Sequence, residues 1–108
     1  MLKVYKVWYQ VRDHMPKKSR YTLGDKIDTR FITSLELLYI ASYQSPAEKL
    51  ATLTKALSNI DLLKFLLRVS WEIGILDNKK YVELSEGTQE VARQTGGWKK
   101  GIQTKTPL

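Results

Sequence analysis

Apolar residues recur every three or four positions along most of the chain, which is the spacing of one face of an α-helix. In the first such segment, residues 2–14, the apolar stripe comprises Val4, Val7, Trp8, Val11 and Met15. Lys3, Lys6, Gln10 and Asp13 fall on the opposite side. The pattern predicts a first helix that buries one face in a bundle. Pro16 ends this helix or opens the next one, because proline lacks a backbone donor and fixes φ.

A second helix is predicted over residues 17–43. Its apolar face consists of Leu23, Ile27, Phe31, Leu35 and Leu38. Gly24 lies inside this pattern, where glycine costs about 1 kcal/mol relative to alanine. We therefore expect either the close approach of another backbone or an irregular first turn at Gly24.

The stretch QSPAEKL (44–50) predicts the start of a third helix, which runs to about Ile75. Ser45 suits the N-cap, Pro46 the first helical position, and Glu48 completes a capping box. This helix carries two apolar stripes: Leu50, Leu53, Leu57, Ile60, Leu67 and Trp71, and Leu62, Leu66, Val69, Ile73 and Leu76. A helix that is apolar on two faces is buried on two sides. A small bundle has few elements to cover both faces, so the pattern predicts a subunit interface here.

A fourth helix follows the stretch GILDN, where Asp77 or Asn78 can cap it. Its stripe comprises Tyr81, Leu84, Thr88, Val91, Thr95 and Trp98. Gly96-Gly97 predicts its end, because glycine accepts the left-handed conformation found there. Trp98 is then expected to fold back as a lid over the bundle end, while Trp8 and Trp71 are assigned to the core.

Four helices with short connections predict an all-α protein, an antiparallel up-down four-helix bundle, which the third helix would join into a homo-oligomeric barrel. The bundle would span residues 1–98, and residues 99–108 would form a flexible basic tail. A chain of 108 residues suits one domain. It has no membrane-length apolar run, no signal-peptide core and no cysteine, so a cytoplasmic location is expected.

The formal charge of +7 is spread unevenly. Residues 1–30 hold eight basic and three acidic side chains, and residues beyond 90 hold four basic and no acidic ones. Residues 31–92 hold six basic and eight acidic side chains. Such a field attracts phosphates at long range, although it can also serve solubility alone.

The candidate nucleic-acid-binding residues lie in or beside the stretch HMPKKSRYTLGDKIDTRF (14–31). They are Arg12, Lys17, Lys18, Arg20, Lys26 and Arg30. Lys26 and Arg30 are four apart and share a helix face, and Lys17 and Arg20 lie on a first turn, where anions are favoured. Tyr5, Tyr9 and Tyr21 either stack on bases or fill the edge of the core. A merely solvated basic cluster is the alternative interpretation.

Catalysis has little support in the sequence. His14 is the single histidine, and its neighbour Asp13 points about 100° away on a helix. A zinc site or a nucleophilic triad needs more converging groups. The carboxylate pairs Asp25/Asp28 and Glu83/Glu86 are interpreted as solvated faces. We predict a non-enzymatic protein without metal or cofactor, and a small ribonuclease using His14 and Arg12 is the least favoured alternative.

Four stretches together resemble the Avd-like four-helix bundle proteins, the accessory variability determinants of diversity-generating retroelements. They are MPKKSRYTLGDKI (15–27), LLYIASY (37–43), KALSNIDLLKFLLRVSWEIGIL (55–76) and TGGWKK (95–100). The ribosomal-RNA intervening-sequence proteins share this superfamily. A scaffold of that type, which holds only protein partners and has no polymerase among them, is the alternative, but the Gly-Gly-Trp ending favours Avd.

The resemblance implies a homopentameric barrel whose basic surface binds RNA or DNA. It further implies association with the retroelement reverse transcriptase, for mutagenic copying of a template RNA into cDNA. The matching positions Lys17, Lys18, Arg20, Lys26 and Arg30 would contact phosphates. The family does no chemistry itself, in agreement with the residues above.

Overall fold

A computed structural model describes residues 1–105 of the chain, and this part is almost entirely helical. The elements are α1 (Leu2–Asp13), α2 (Lys17–Ser19), a π-helical turn (Arg20–Gly24), α3 (Asp25–Ala41), α4 (Pro46–Glu72) and α5 (Asn78–Lys105). Because α2, the π turn and α3 follow one another without a break, they form the single second helix expected from the sequence. The predicted all-α four-helix bundle is therefore confirmed.

Contacts between the helices show that neighbours run antiparallel. Along α3 and α4, Arg30 reaches Asn59 near the middle of the pair, and Gln44 reaches Thr52 at the connecting turn. Along α4 and α5, Trp71 stacks on Tyr81 near the connecting turn, and Lys49 lies over Trp98 far from it. Because the connections are short, consecutive helices lie side by side and antiparallel, which is the up-down order.

Helix α4 is the central element, with α3 on one side and α5 on the other, and α1 lies across α3 and α5. The 27 residues of α4 span about 40 Å, whereas the 12 residues of α1 span about 18 Å. The molecule is accordingly a rod with extents of 50 × 21 × 19 Å. Its largest fully buried side chains are Trp8, Phe31, Ile27, Leu53, Ile60, Leu63, Leu67 and Leu84. Since α1 is short, it covers less than half of the rod.

A carboxylate on α3 holds α1 in place. Asp28 Oδ1 accepts hydrogen bonds from Tyr5 Oη at 2.9 Å and from Trp8 Nε1 at 3.2 Å. Trp8 is fully buried and stacks on Phe31, with ring centroids 5.9 Å apart. On the other side of α1, a Cβ built on Gly87 would lie 2.7 Å from Val4 Cγ2. Glycine therefore allows α1 to approach α5 closely.

The glycine inside the second helix is the last residue of the π turn. A Cβ on Gly24 would lie 3.4 Å from the Ser19 carbonyl oxygen and 3.7 Å from Met15 Sδ. These are ordinary van der Waals distances, and the backbone of Gly24 is ordinary for a helix, with φ of −57°, so neither the space nor the torsion at this position requires glycine. The predicted irregular first turn is confirmed, and π turns are frequent at functional sites.

The turns between the long helices follow the predicted signals in part. Asp77 Oδ1 accepts a hydrogen bond from the Lys80 backbone N–H at 2.8 Å, so Asp77 caps α5. Ser45 is extended and precedes Pro46, as an N-cap should be. Its hydroxyl, however, donates to the Glu48 carboxylate at 2.7 Å instead of accepting from the backbone. The side-chain-to-backbone hydrogen bonds of the predicted capping box are therefore absent among the described residues, and a Ser45–Glu48 side-chain pair stands in their place.

Three details of the sequence prediction are wrong. Helix α5 continues through Gly96-Gly97 to Lys105, because half-buried Trp98 and Ile102 continue the helical spacing of Thr95 beyond the glycines. Trp98 is consequently half-buried on the side of α5 rather than folded back as a lid. Trp71 keeps 38% of its surface exposed, so it lies outside the core, unlike Trp8.

The domain boundary predicted at residue 98 stays a prediction, and residues 99–105 are helical. Residues 106–108 of the predicted tail lie outside the described residues. Within residues 1–105, the helices lack the combination of length and apolar content that crossing a bilayer requires.

Candidate nucleic-acid interface

The structure places the six predicted cations in three different environments. Arg12 lies between α1 and α3, where carboxylates surround it. Lys17, Lys18 and Arg20 lie on α2 and the start of the π turn. Lys26 and Arg30 line a cavity between α3 and α4. The basic stretch is therefore continuous in sequence but not in chemical surroundings.

Arg12 is engaged inside the chain. Its Nη2 donates to Asp25 Oδ1 at 2.6 Å, and its Nη1 lies 3.5 Å from Asp28 Oδ2. These two carboxylates offset the charge of the guanidinium. Since Arg12 joins α1 to α3, its first role is structural, and its predicted phosphate contact would compete with this ion pair.

The α2 segment carries the most available cations. Lys17 and Lys18 are exposed, and neither forms a salt bridge within residues 1–105. Arg20 is half-buried, and its Nε is buried without a hydrogen-bond partner in the described part of the chain. Tyr21, beside it, exposes 66% of its surface. We call Lys17, Lys18, Arg20 and Tyr21 the α2 patch.

Tyr5, Tyr9 and Tyr21, each of which could stack on bases or fill the edge of the core, differ in their burial. Tyr5 is half-buried, donates to Asp28 and packs edge-on against Phe31, so it belongs to the edge of the core. Burial and the hydrogen bond to Asp28 raise the pKa of Tyr5. Tyr9 and Tyr21 are exposed. Only the exposed pair offers ring faces to a base.

Lys26 and Arg30 border an apolar cavity of about 340 Å³. Its floor comes from α4, where Leu62 exposes 46% and Phe65 exposes 60% of its surface. Arg30 Nη1 donates to Asn59 Oδ1 at 3.0 Å, and Asn59 Nδ2 in turn donates to the Arg30 carbonyl at 2.6 Å. Arg30 is thus held in place, while Lys26 is exposed.

Two further residues line cavities beside the candidate residues and were not predicted from the sequence. Lys80, in the first turn of α5, lines a cavity of about 370 Å³ together with His14, Met15 and Asp77. Phe65 lies on the exposed face of α4 beside Lys26. The helical spacing of Phe65 from Leu62 was visible in the sequence, but the neighbourhood of α3 was not.

The candidates for chemistry lie apart from one another. His14 is exposed, and its Nδ1 lies 2.9 Å from the carbonyl oxygen of Gln10 on the same helix. Residues 1–105 contain no group of three or more His, Cys, Asp or Glu side chains arranged to hold a metal ion. On the surface of α5, the hydrogen bond with Arg93 lowers the pKa of Glu90.

Comparison with known families agrees with the fold and with the resemblance noted in the sequence. The family model described as bAvd-like matches residues 1–102. The curated proteins gave no match, and neither did the solved structures. A match over nearly the whole length, on a helical bundle of the expected order, means that this chain belongs to the bAvd-like family.

Proposed function

We propose that this protein is a non-enzymatic accessory protein of a diversity-generating retroelement. It binds nucleic acid through the α2 patch and associates with the reverse transcriptase during mutagenic cDNA synthesis. The observation that carries this proposal is the family match over residues 1–102. Lys17 and Lys18 support it, because they are exposed, form no salt bridge among residues 1–105 and lie in the stretch that resembles Avd.

The proposed binding is electrostatic. Each lysine or arginine that neutralises a phosphate releases condensed counterions, so affinity falls steeply with salt. Phosphate contacts carry no sequence information, and exposed Tyr21 adds stacking that every base accepts. We therefore expect RNA and single-stranded DNA to bind with little sequence preference.

Fluorescence anisotropy with labelled single strands over a salt series tests this function. The double substitution Lys17→Glu/Lys18→Glu should weaken binding and lower the magnitude of the salt slope by about 1.4 for two lost phosphate contacts on a single strand. Lys3→Glu/Lys6→Glu is the matched control, since both lysines are exposed on α1 and the charge change is equal. Equal loss in both variants would reject the α2 patch as the site. Absence of wild-type binding at low salt would reject nucleic-acid binding altogether.

Association with the polymerase needs a separate experiment. The reverse transcriptase encoded beside this protein should co-purify with it, and nuclease treatment should leave the complex intact if the contact is between proteins. Failure to recover a polymerase, combined with no binding of nucleic acid, would favour a scaffold of the intervening-sequence type.

Self-association is the third part of the proposal, and the resemblance sets the number of copies at five. Its support is the apolar surface that α4 and its C-cap leave uncovered in one chain, which includes Leu62, Phe65, Trp71 and Ile73. Sedimentation velocity should show a particle several times heavier than the 12.5 kDa chain. A single 12.5 kDa particle at micromolar concentration would contradict it.

A further inference from the structure

A continuous groove runs along the outside of the bundle between α3 and α4. It consists of two cavities, of about 340 and about 420 Å³, which share Arg30 and Leu62. Its apolar surface comes mainly from Leu62 and Phe65. Lys26, Arg30 and Lys55 supply three cations along it, and Asp25 supplies one carboxylate, which forms an ion pair with Arg12. We call this the α3–α4 groove.

The chain exposes more surface than its mass requires. Its accessible surface is 7002 Å², whereas a compact monomer of this mass exposes about 6,200 Å². The difference of about 800 Å² is close to what each partner buries in a standard protein interface. The radius of gyration of 15.0 Å likewise exceeds the value of about 13 Å for a compact domain of this length. The elongated shape therefore leaves additional accessible surface that a partner could bury.

The same chain carries a face of opposite charge on α5. Residues 81–92 contain Glu83, Glu86 and Glu90 and no lysine or arginine. All three glutamates are exposed, and Val82 beside them exposes 50% of its surface. Glu86 forms no salt bridge among residues 1–105, whereas Glu83 and Glu90 have partners on their own helix. We call Val82, Glu83, Glu86 and Glu90 the α5 acidic face.

A chain cannot fill its own groove with this face. Helix α5 is fixed on the other side of α4, where Lys64 Nζ donates to Gln89 Oε1 at 2.9 Å and Trp71 stacks on Tyr81. The groove lies on the α3 side of α4. The two surfaces can meet only between two copies, and such a contact is head-to-tail because it joins different faces.

We propose that the α3–α4 groove of one copy binds the α5 acidic face of a second copy. Three cations then face three glutamates, and Val82 covers the exposed Phe65 and Leu62. This inference rests on the proposed self-association and deepens it by naming both surfaces. It gives Lys26 and Arg30 a role in assembly, so the contacts with nucleic acid fall to the α2 patch. Repetition of a head-to-tail contact closes into a ring when its rotation allows.

Charge reversal on each surface tests the proposal. Lys26→Glu/Lys55→Glu reverses the groove and leaves Arg30 with its partner Asn59, while Glu83→Lys/Glu86→Lys reverses the α5 acidic face. Each variant alone places like charges together, which should weaken association by about a hundredfold or more. An equimolar mixture pairs a reversed groove with a reversed face, so particles larger than one chain should return. Sedimentation velocity measures both results, and circular dichroism confirms that each variant is folded.

Several outcomes would overturn the proposal. If both variants assemble like the wild type, or if their mixture stays dissociated, the two surfaces do not meet. If the groove variant assembles normally but loses binding to a labelled single strand, the groove is a phosphate-binding surface. Capture of the polymerase by the wild type but not by the assembled groove variant would assign the groove to that partner. A monomeric wild type would instead remove the proposed self-association itself, which separates the two failures.

Discussion

Replacing Asp28 with alanine should detach α1 from the bundle. The substitution removes the acceptor for two donors, Tyr5 Oη and Trp8 Nε1. A hydrogen bond to a charged group contributes about 1.5–3 kcal/mol, and a buried donor left without a partner costs about 1–3 kcal/mol. The Trp8 donor belongs to a fully buried side chain, so it incurs this full penalty, whereas half-buried Tyr5 can turn to water.

These terms predict a loss of about 3 kcal/mol in the free energy of unfolding for Asp28→Ala, out of a total of about 5–15 kcal/mol for a typical domain. For a domain near 100 residues, that loss lowers the melting temperature by about 12–20 °C. Urea denaturation followed by tryptophan fluorescence measures the free energy. The protein concentration must be the same for every variant, because assembly adds to apparent stability.

Asp28→Asn is the matched control because it separates hydrogen bonding from charge. The amide oxygen can occupy the position of Oδ1 and accept from Tyr5 and Trp8 as before. The amide nitrogen then replaces Oδ2, which faces Arg12 at 3.5 Å. Because Arg12 keeps its shorter contact with Asp25, losing the 3.5 Å ion pair should cost less than losing both hydrogen bonds, so Asp28→Asn should be more stable than Asp28→Ala. An alanine variant no less stable than the asparagine variant would refute this account of how α1 docks.

Two further predictions concern glycines and one concerns pH. Gly87→Ala should destabilise by about 1–3 kcal/mol in urea denaturation, because its Cβ would lie 2.7 Å from Val4 Cγ2. At Gly101 a Cβ would meet nothing within 4 Å, so Gly101→Ala should raise the free energy of unfolding by up to about 1 kcal/mol in the same measurement. Equal effects of the two substitutions would contradict the packing argument. The raised pKa of Tyr5 means that its contribution to stability is complete below the ordinary tyrosine pKa and falls as pH rises through the folded value. In an alkaline titration followed at 295 nm, the Tyr5→Phe variant should therefore lack a tyrosine that ionises above the usual pH range. An unchanged curve would show that Tyr5 ionises normally.

The helices could be predicted because their signals are local. Spacing of apolar residues, Pro46 after Ser45, and Asp77 before α5 act within one or two turns. The end of α5 could not be predicted in this way. Gly96 and Gly97 each cost about 1 kcal/mol within a helix, and contacts between α5 and α4, such as that of Lys49 with the Trp98 ring, help to offset this cost. That contact joins residues 49 positions apart, so no local pattern contains it.

The candidate site was predictable as a set of residues but not as a surface. Lys26 and Arg30 share a face of α3, as their spacing indicates. The apolar neighbour Phe65 comes from another helix, so the groove depends on how α3 meets α4. Arg12 likewise looked available until the fold brought Asp25 and Asp28 to it. Whether a cation is available to a ligand depends on the ion pairs that it forms with other helices, and the composition of the chain does not reveal these pairs.

We assign the cations of the α2 patch to nucleic acid and those of the α3–α4 groove to assembly, and this division makes the two proposals testable together. One copy offers three cations in the α2 patch, so a monomer neutralises at most three phosphates there. The slope of log K against log salt for a single strand would then not exceed about 2 in magnitude. In the proposed head-to-tail assembly the groove is filled, yet every copy adds its own α2 patch to the same particle. A measured slope well above that limit therefore requires cations outside one α2 patch, supplied either by an open groove or by further copies on the same strand, whereas a slope within it needs only one patch.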